Sequence, residues 1–146
     1  MDIATLKKMA NNECSWRERL KAVHELEKLD CQPSKDIIIR LAIHDPVHTV
    51  REAAVHAAQI RKLTHNSKPI YLGKKPRGHL VKDIMKKLGV VRNQFGEECP
   101  LEDFKNKFLE LYPVAYDIYE GDKGKLFDKW LINIIPSLPK KNNKEE

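Results

Sequence analysis

Asp45-Pro46-Val47-His48-Thr49-Val50-Arg51-Glu52-Ala53-Ala54-Val55-His56-Ala57-Ala58 is the stretch that decides the fold. Asp45 before Pro46 is a helix-start signal: the carboxylate can accept from free amides of a first turn, and proline has no amide to waste at the first helical position. Val47, Val50, Ala54, Ala57 and Ile60 follow at helical spacing, which predicts a helix to about Leu63. Ala53, Ala54, Ala57 and Ala58 are small enough to let a neighbouring helix approach closely. The pattern has an earlier copy: Arg19-Leu20-Lys21-Ala22-Val23-His24 aligns without a gap on Arg51-Glu52-Ala53-Ala54-Val55-His56, 32 residues further on. A period of this length is the mark of stacked helical hairpins.

Around these copies the chain reads as helix and break in alternation. Ile3, Leu6, Met9 and Ala10 predict a short helix over residues 2–11. Ser15-Trp16-Arg17-Glu18 has the form of a capping box, with the Ser15 hydroxyl on the Glu18 amide and the Glu18 side chain reaching back. Trp16, Leu20, Val23, Leu26 and Leu29 share one face of the helix that follows, which should end near Asp30 before Cys31-Gln32-Pro33. Ser34 is the expected cap of the next helix, with Asp36 in its first turn and Ile37, Ile38, Leu41 and Ala42 inward.

After Leu63 a further helix of the repeat is due, and the repeat fails. Pro69, Gly73, Pro76 and Gly78 fall within ten residues and argue against a helix there. Ile70-Tyr71-Leu72 is at most a short extended piece, and the module boundary belongs here. Helical spacing returns at His79–Leu88, with Leu80, Val81, Ile84 and Leu88 inward and Gly89 as the stop. Pro100 starts another helix, with Leu101, Phe104, Phe108 and Leu111 on one face, and Pro113 ends or kinks it. A last helix is expected from about Lys123 to Ile135, carrying Leu126, Phe127, Trp130, Leu131 and Ile134 and stopped by Pro136. No convincing alternating strand is present. The chain divides into a helical repeat region 1–64, a basic Gly/Pro loop 65–78, a C-terminal helical region 79–138 and a tail 139–146. The tail has no apolar residue to bury after Pro139 and is expected to be disordered.

A chain of 146 residues with 41% hydrophobic and 33% charged side chains can bury a core under a charged surface. No apolar run approaches the roughly 18 residues of a membrane span, and Met1-Asp2-Ile3-Ala4 lacks the form of a signal peptide. No membrane partner is expected. Cys14, Cys31 and Cys99 are odd in number, far apart and free of any Cys-x-x-Cys, which suits a reduced, cytoplasmic protein.

The net charge of +6 is unevenly spread. Residues 1–60 are balanced, residues 61–92 carry ten basic groups against Asp83 alone, and residues 93–146 carry a net −3. Such concentration points to an anionic partner, because like charges gathered together repel one another in the free chain.

The string from Asp45 to Ala58 resembles the first helix of a HEAT-type repeat. The resemblance covers roughly residues 2–63; residues 64–146 resemble no family. It implies an all-α fold: a short HEAT-like α-solenoid, here with a helical C-terminal cap because fewer than two full repeats are present. It also implies binding of other macromolecules through a groove or ridge. In that family the turn Asp and the Arg a few residues later commonly bridge neighbouring repeats, and Asp45, Arg51 and Arg19 are the matching positions here. Glu13-Cys14 stands where the earlier copy would have Asp-Pro.

The sharpest candidate site is the basic stretch. Gly73-Lys74-Lys75-Pro76-Arg77-Gly78 should run directly into a helix starting at His79, whose free amides and positive dipole end favour phosphate. Lys68, Lys74, Lys75, Arg77, His79, Lys82 and Arg92 supply charge, and Tyr71 could stack on a base. Lys86-Lys87-Leu88-Gly89-Val90-Val91-Arg92-Asn93-Gln94-Phe95 also resembles the turn of a helix-turn-helix, with Arg92, Asn93 and Gln94 as base readers by type. The plainer alternatives are a solvated basic loop for the first and a helix end for the second. His44 and His48 are four apart, but Pro46 prevents a shared helix, so no metal site is expected. Glu97-Glu98 and Asp117, Glu120 and Asp122 have neither a nucleophile nor a paired base. The expectation is a chain that is not an enzyme and needs no cofactor. It is a protein-interaction scaffold with a basic binding surface, or alternatively a DNA- or RNA-binding protein using residues 68–92. A homo-oligomer is also possible.

Overall fold

The Asp2 carboxylate accepts the Thr5 amide at 2.8 Å and starts α1 (Ile3–Ala10). Ser15 starts α2 (Trp16–Leu26) by accepting the Glu18 amide at 3.2 Å. The second half of the expected capping box is replaced, because the Glu18 carboxylate takes the Asn12 side-chain amide at 2.6 Å. Next come α3 (Gln32–His44) and α4 (His48–Ile60). The computed structural model describes residues 2–75 and 78–138, and a break between residues 76 and 77 divides them into two units. The tail expected at 139–146 lies outside the described residues.

In the first unit consecutive helices pack in pairs, α1 on α2 and α3 on α4, and equivalent helices also meet, α1 with α3 and α2 with α4. The 32-residue step maps Ala22, Val23 and Leu26 of α2 onto Ala54, Val55 and Ala58 of α4, and all six are buried. Two helix starts differ from expectation. Ser34 does not cap α3; it is buried and donates its hydroxyl to the Leu26 carbonyl at 2.6 Å. The helix begins three residues earlier, because Pro33 is compatible with a first turn. Asp45 does not directly cap α4 either, since Pro46 and Val47 form a turn before the helix.

Lys62 ends α4 in the left-handed region at φ 56°, and the Leu63 amide bonds back to the Ala58 carbonyl at 2.9 Å. A side chain in that conformation costs roughly 1–2 kcal/mol, which the closed carbonyls offset in part. Two short strands follow, β1 (Thr64–His65) and β2 (Lys68–Pro69), which were not expected. Asn66 and Ser67 join them with φ of 53° and 64°, the two-residue turn whose twist suits a hairpin. Ile70 is buried in the same core as α1–α4, and its carbonyl accepts from the Gln59 side-chain Nε2 at 3.1 Å. Residues 64–75 are therefore a strap on the first unit.

The second unit contains α5 (Ile84–Arg92), α6 (Leu101–Leu111), α7 (Pro113–Lys123) and α8 (Phe127–Ile134). Single 3-10 turns follow α7 at Gly124–Leu126 and α8 at Ile135–Ser137. Three differences from the sequence reading stand out. α5 starts at Ile84 and not at His79, because Asp83 is left-handed at φ 58° and breaks the helical run. Gly89 lies buried inside α5 and is not its stop. α7 was not expected: Pro113 is its first residue, and Tyr112 alone separates it from the end of α6. The core is aromatic. Phe104, Phe108, Tyr116 and Phe127 succeed one another edge to face, with centroids 5.2–6.4 Å apart. Trp130 stacks on Tyr119 at 4.8 Å, and the Tyr119 hydroxyl accepts the Leu80 amide at 2.9 Å.

Phe108→Ala should destabilise the second unit by about 3–5 kcal/mol through the cavity it opens. Tyr119→Phe should cost only about 1 kcal/mol, the net value of one hydrogen bond. Trp130 fluorescence in a Trp16→Phe background, followed through a urea titration, reads both.

Candidate functional site

Arg19 is the most committed polar side chain of the first unit. It rises from α2 with 4% of its side chain exposed and meets Asp45, whose side chain is 1% exposed, in the turn before α4. Nε donates to Asp45 Oδ2 at 2.8 Å and Nη2 to Oδ1 at 3.3 Å, while Nη1 donates to the Asn12 carbonyl at 2.8 Å. Asp45 Oδ1 also accepts the Val47 amide at 2.9 Å. A forked guanidinium on a carboxylate is the strong form of ion pair, and burial demands that both charges be satisfied. Arg61 ties α4 back to the end of α2 by donating to the Leu29 and Glu27 carbonyls. No motif announced Arg61; the signal available was that it stands one 32-residue step after Leu29.

Arg51 occupies the position of Arg19 one step later, yet its surroundings differ. Its Nη2 lies 3.2 Å from His48 Nδ1, and its Nε is buried with no hydrogen-bond partner among the described residues. The residue one step after Asp45 is Arg77, which lies outside the described residues. Where Arg19 meets an acid, the sequence gives Arg51 a base at the matching position.

The structure divides the basic stretch between the two units. Residues 2–75 hold fourteen basic and nine acidic groups, whereas residues 78–138 hold nine basic and ten acidic. Lys68, Lys74 and Lys75 are exposed on the strap. Tyr71, 75% exposed, stands among them beside exposed Leu72, and Ile60 is 64% exposed at the end of α4. The buried Ile70 and the Gln59–Ile70 hydrogen bond anchor this segment to α4. The strap thus presents a mixed basic and apolar ridge anchored at Ile70.

The second unit corrects two expectations. With α5 starting at Ile84, exposed His79 and Lys82 both lie before the helix, and the loop 73–78 does not lead straight into a helix N-terminus. The helix-turn-helix reading fails on the same helix. α5 runs through Gly89 to Arg92, and no helix begins again until Leu101. Arg92 is buried, and its guanidinium donates to the carbonyls of Gly96 at 2.8 Å and Glu97 at 3.3 Å, so it shapes its own loop. Lys87 likewise bonds the Lys82 carbonyl at 2.9 Å.

Titration behaviour in this unit is structural in origin. The hydrogen bond to Asp128 at 2.8 Å raises the Lys105 pKa. Burial raises the Cys99 thiol above its ordinary value, which disfavours the nucleophilic thiolate near neutral pH. Among the described residues no cluster of three or more His, Cys, Asp or Glu side chains could hold a metal ion. No helix among them is long and apolar enough to cross a membrane. No family model matches the chain, and no curated protein or solved structure matches it significantly.

Asp45→Ala should destabilise the first unit by about 3–5 kcal/mol, because it leaves the buried Arg19 charge without its acid. Arg19→Met in that background should recover part of the loss, since removing both charges avoids the desolvation cost. Chemical denaturation followed by Trp16 fluorescence in a Trp130→Phe background tests the pair.

Proposed function

We propose that this chain is a non-enzymatic binding module. In this reading α1–α4 act as a short HEAT-like stack, the second unit serves as a helical C-terminal cap, and the strap is the contact surface for an acidic protein partner. The observation that carries it is the ridge of Tyr71, Leu72, Lys68, Lys74 and Lys75, held to α4 through Ile70. Exposed aromatic and aliphatic groups supply area to desolvate, and the lysines steer an acidic surface onto them. The exposed ring of Tyr71 among lysines also favours a second reading, nucleic-acid binding by stacking and phosphate contact.

The experiment that separates the two varies salt. Replacing Lys74, Lys75 and Arg77 together by Ser should leave helix content and melting nearly unchanged, because Lys74 and Lys75 are exposed. In the protein-partner reading, wild type shows no salt-steep binding to DNA or RNA, and the triple variant loses an acidic protein partner that nucleic acid does not displace. If wild type instead binds nucleic acid, log affinity should fall linearly with log salt. The variant's slope should then be smaller by up to about three phosphate contacts at roughly 0.9 each, and nucleic acid becomes the leading reading. Unfolding of the triple variant would show the segment to be structural and sink both.

A further inference from the structure

We infer that the strap takes up an extended acidic segment of a partner protein as an added β-strand, paired on the backbone from Tyr71 to Lys74. The inference rests on the strap being the contact surface and says how that contact is made. Residues 68–75 pass through no helix, turn or bend, and none of them takes a positive φ. Exposure alternates along them, from Ile70 at 5% to Tyr71 at 75% and Leu72 at 38%, as in a pleated strand with one face toward a core. The ladder between β1 and β2 consists of Thr64 with Pro69 and His65 with Lys68. Tyr71, Leu72, Gly73 and Lys74 enter no backbone–backbone hydrogen bond among the described residues, and all four are exposed. An exposed strand edge is a template for another chain, and a two-stranded hairpin gains from a third strand. Pro69 has no amide to give, so the pairing starts beyond it.

Gly73 adds an independent observation. Its φ lies outside the left-handed region, and a Cβ placed on it would meet nothing within 4 Å. Neither its own conformation nor packing within the first unit calls for a glycine there. Inside a strand, a glycine leaves room for a second backbone to approach closely. The chemistry of the strand edge then selects the occupant. It alternates N–H donors with C=O acceptors, and a peptide backbone answers both, whereas phosphate oxygens answer the donors alone. Charge selects the side chains: residues 61–82 hold no Asp or Glu, and Lys68, Lys74 and Lys75 flank the open stretch. The fitting strand carries Asp or Glu beside these lysines and apolar residues beside Tyr71 and Leu72. A second copy of the strap is disfavoured, because it would set the same lysines against these, and like charges on paired strands repel.

The test follows the backbone amides of the ¹⁵N-labelled full chain by NMR, reading the exchange of each with water. The probe is a synthetic capped heptapeptide, Glu-Val-Glu-Val-Glu-Val-Glu. Its control is the same peptide N-methylated at the three central residues, which keeps the charges and side chains and removes those amide donors. The unmethylated peptide should bind saturably and slow the exchange of alternate strap amides, either Tyr71 with Gly73 or Leu72 with Lys74. Neighbouring residues of a strand turn their amides to opposite edges, so only one of these sets is protected. The methylated peptide should bind about tenfold more weakly or worse, the loss expected when two net hydrogen bonds are removed.

Equal binding of the two peptides, or saturable binding without alternate protection, means contact through side chains; it overturns the inference and leaves the strap reading standing. Absence of binding by either peptide also overturns the inference, and the strap reading is then decided by the triple variant against an acidic protein partner. Tighter binding of a single-stranded oligonucleotide than of the peptide, at matched ionic strength, overturns both in favour of nucleic acid. Concentration-dependent self-association in sedimentation equilibrium, with the same alternate protection in the absence of peptide, overturns the inference in favour of a second copy.

Discussion

The buried pair of Arg19 and Asp45 is the constraint on which the first unit depends. It joins three places that are distant in sequence: the end of α1 through the Asn12 carbonyl, the body of α2, and the turn before α4. Burying two charges is unfavourable unless their lone pairs and protons are answered, and here one carboxylate receives three N–H groups. The contact therefore does more to specify than to stabilise. Sliding α4 along α2 by one turn would move Asp45 by about 5 Å and strand both charges. Small residues allow many close packings, and alanines in α4 alone would not choose between them. The ion pair chooses.

How much of this was legible follows the same division. Helix existence in the first unit could be read, because its apolar positions keep one period, Pro33 stands in the first turn of α3 and Pro46 in the break before α4. Helix starts could not be read to the residue. Ser34 looks like a cap by type, but its hydroxyl reaches the Leu26 carbonyl of another helix, a tertiary contact to which local pattern is blind. The Asn66-Ser67 turn was missed because both residues take the left-handed conformation without a glycine to announce it. In the second unit Pro113 was read as a stop when it is both a stop and a start. Arg92 looked like a base reader because type and charge suggest exposure, and only the fold shows its guanidinium turned onto backbone carbonyls. Exposure was legible for the strap lysines Lys68, Lys74 and Lys75, and illegible where a basic group is used to hold the chain.

The two units solve the problem of cohesion differently. The first closes with small side chains and guanidinium clamps, Arg19 on Asp45 and Arg61 on the carbonyls of α2's end. The second closes with rings, from Phe104 through Phe108, Tyr116 and Phe127 to Trp130 and Tyr119. Ring packing leaves little polar residue unspent, and this unit is close to neutral over residues 78–138. The clamped unit instead keeps a positive excess, carried by its last fifteen described residues. Some of that excess is internal, as Arg61 shows, and the part that faces solvent lies mainly on the strap.

The strap has two tasks that oppose each other. As a cover it must bury apolar surface, and Ile70 does so, with Gln59 holding its carbonyl. As a display it leaves Tyr71 three-quarters exposed immediately after that anchor. In an extended segment neighbouring side chains point to opposite sides, so an inward Ile70 requires an outward Tyr71. Burying Tyr71 would gain apolar area but would turn Ile70 out of the core.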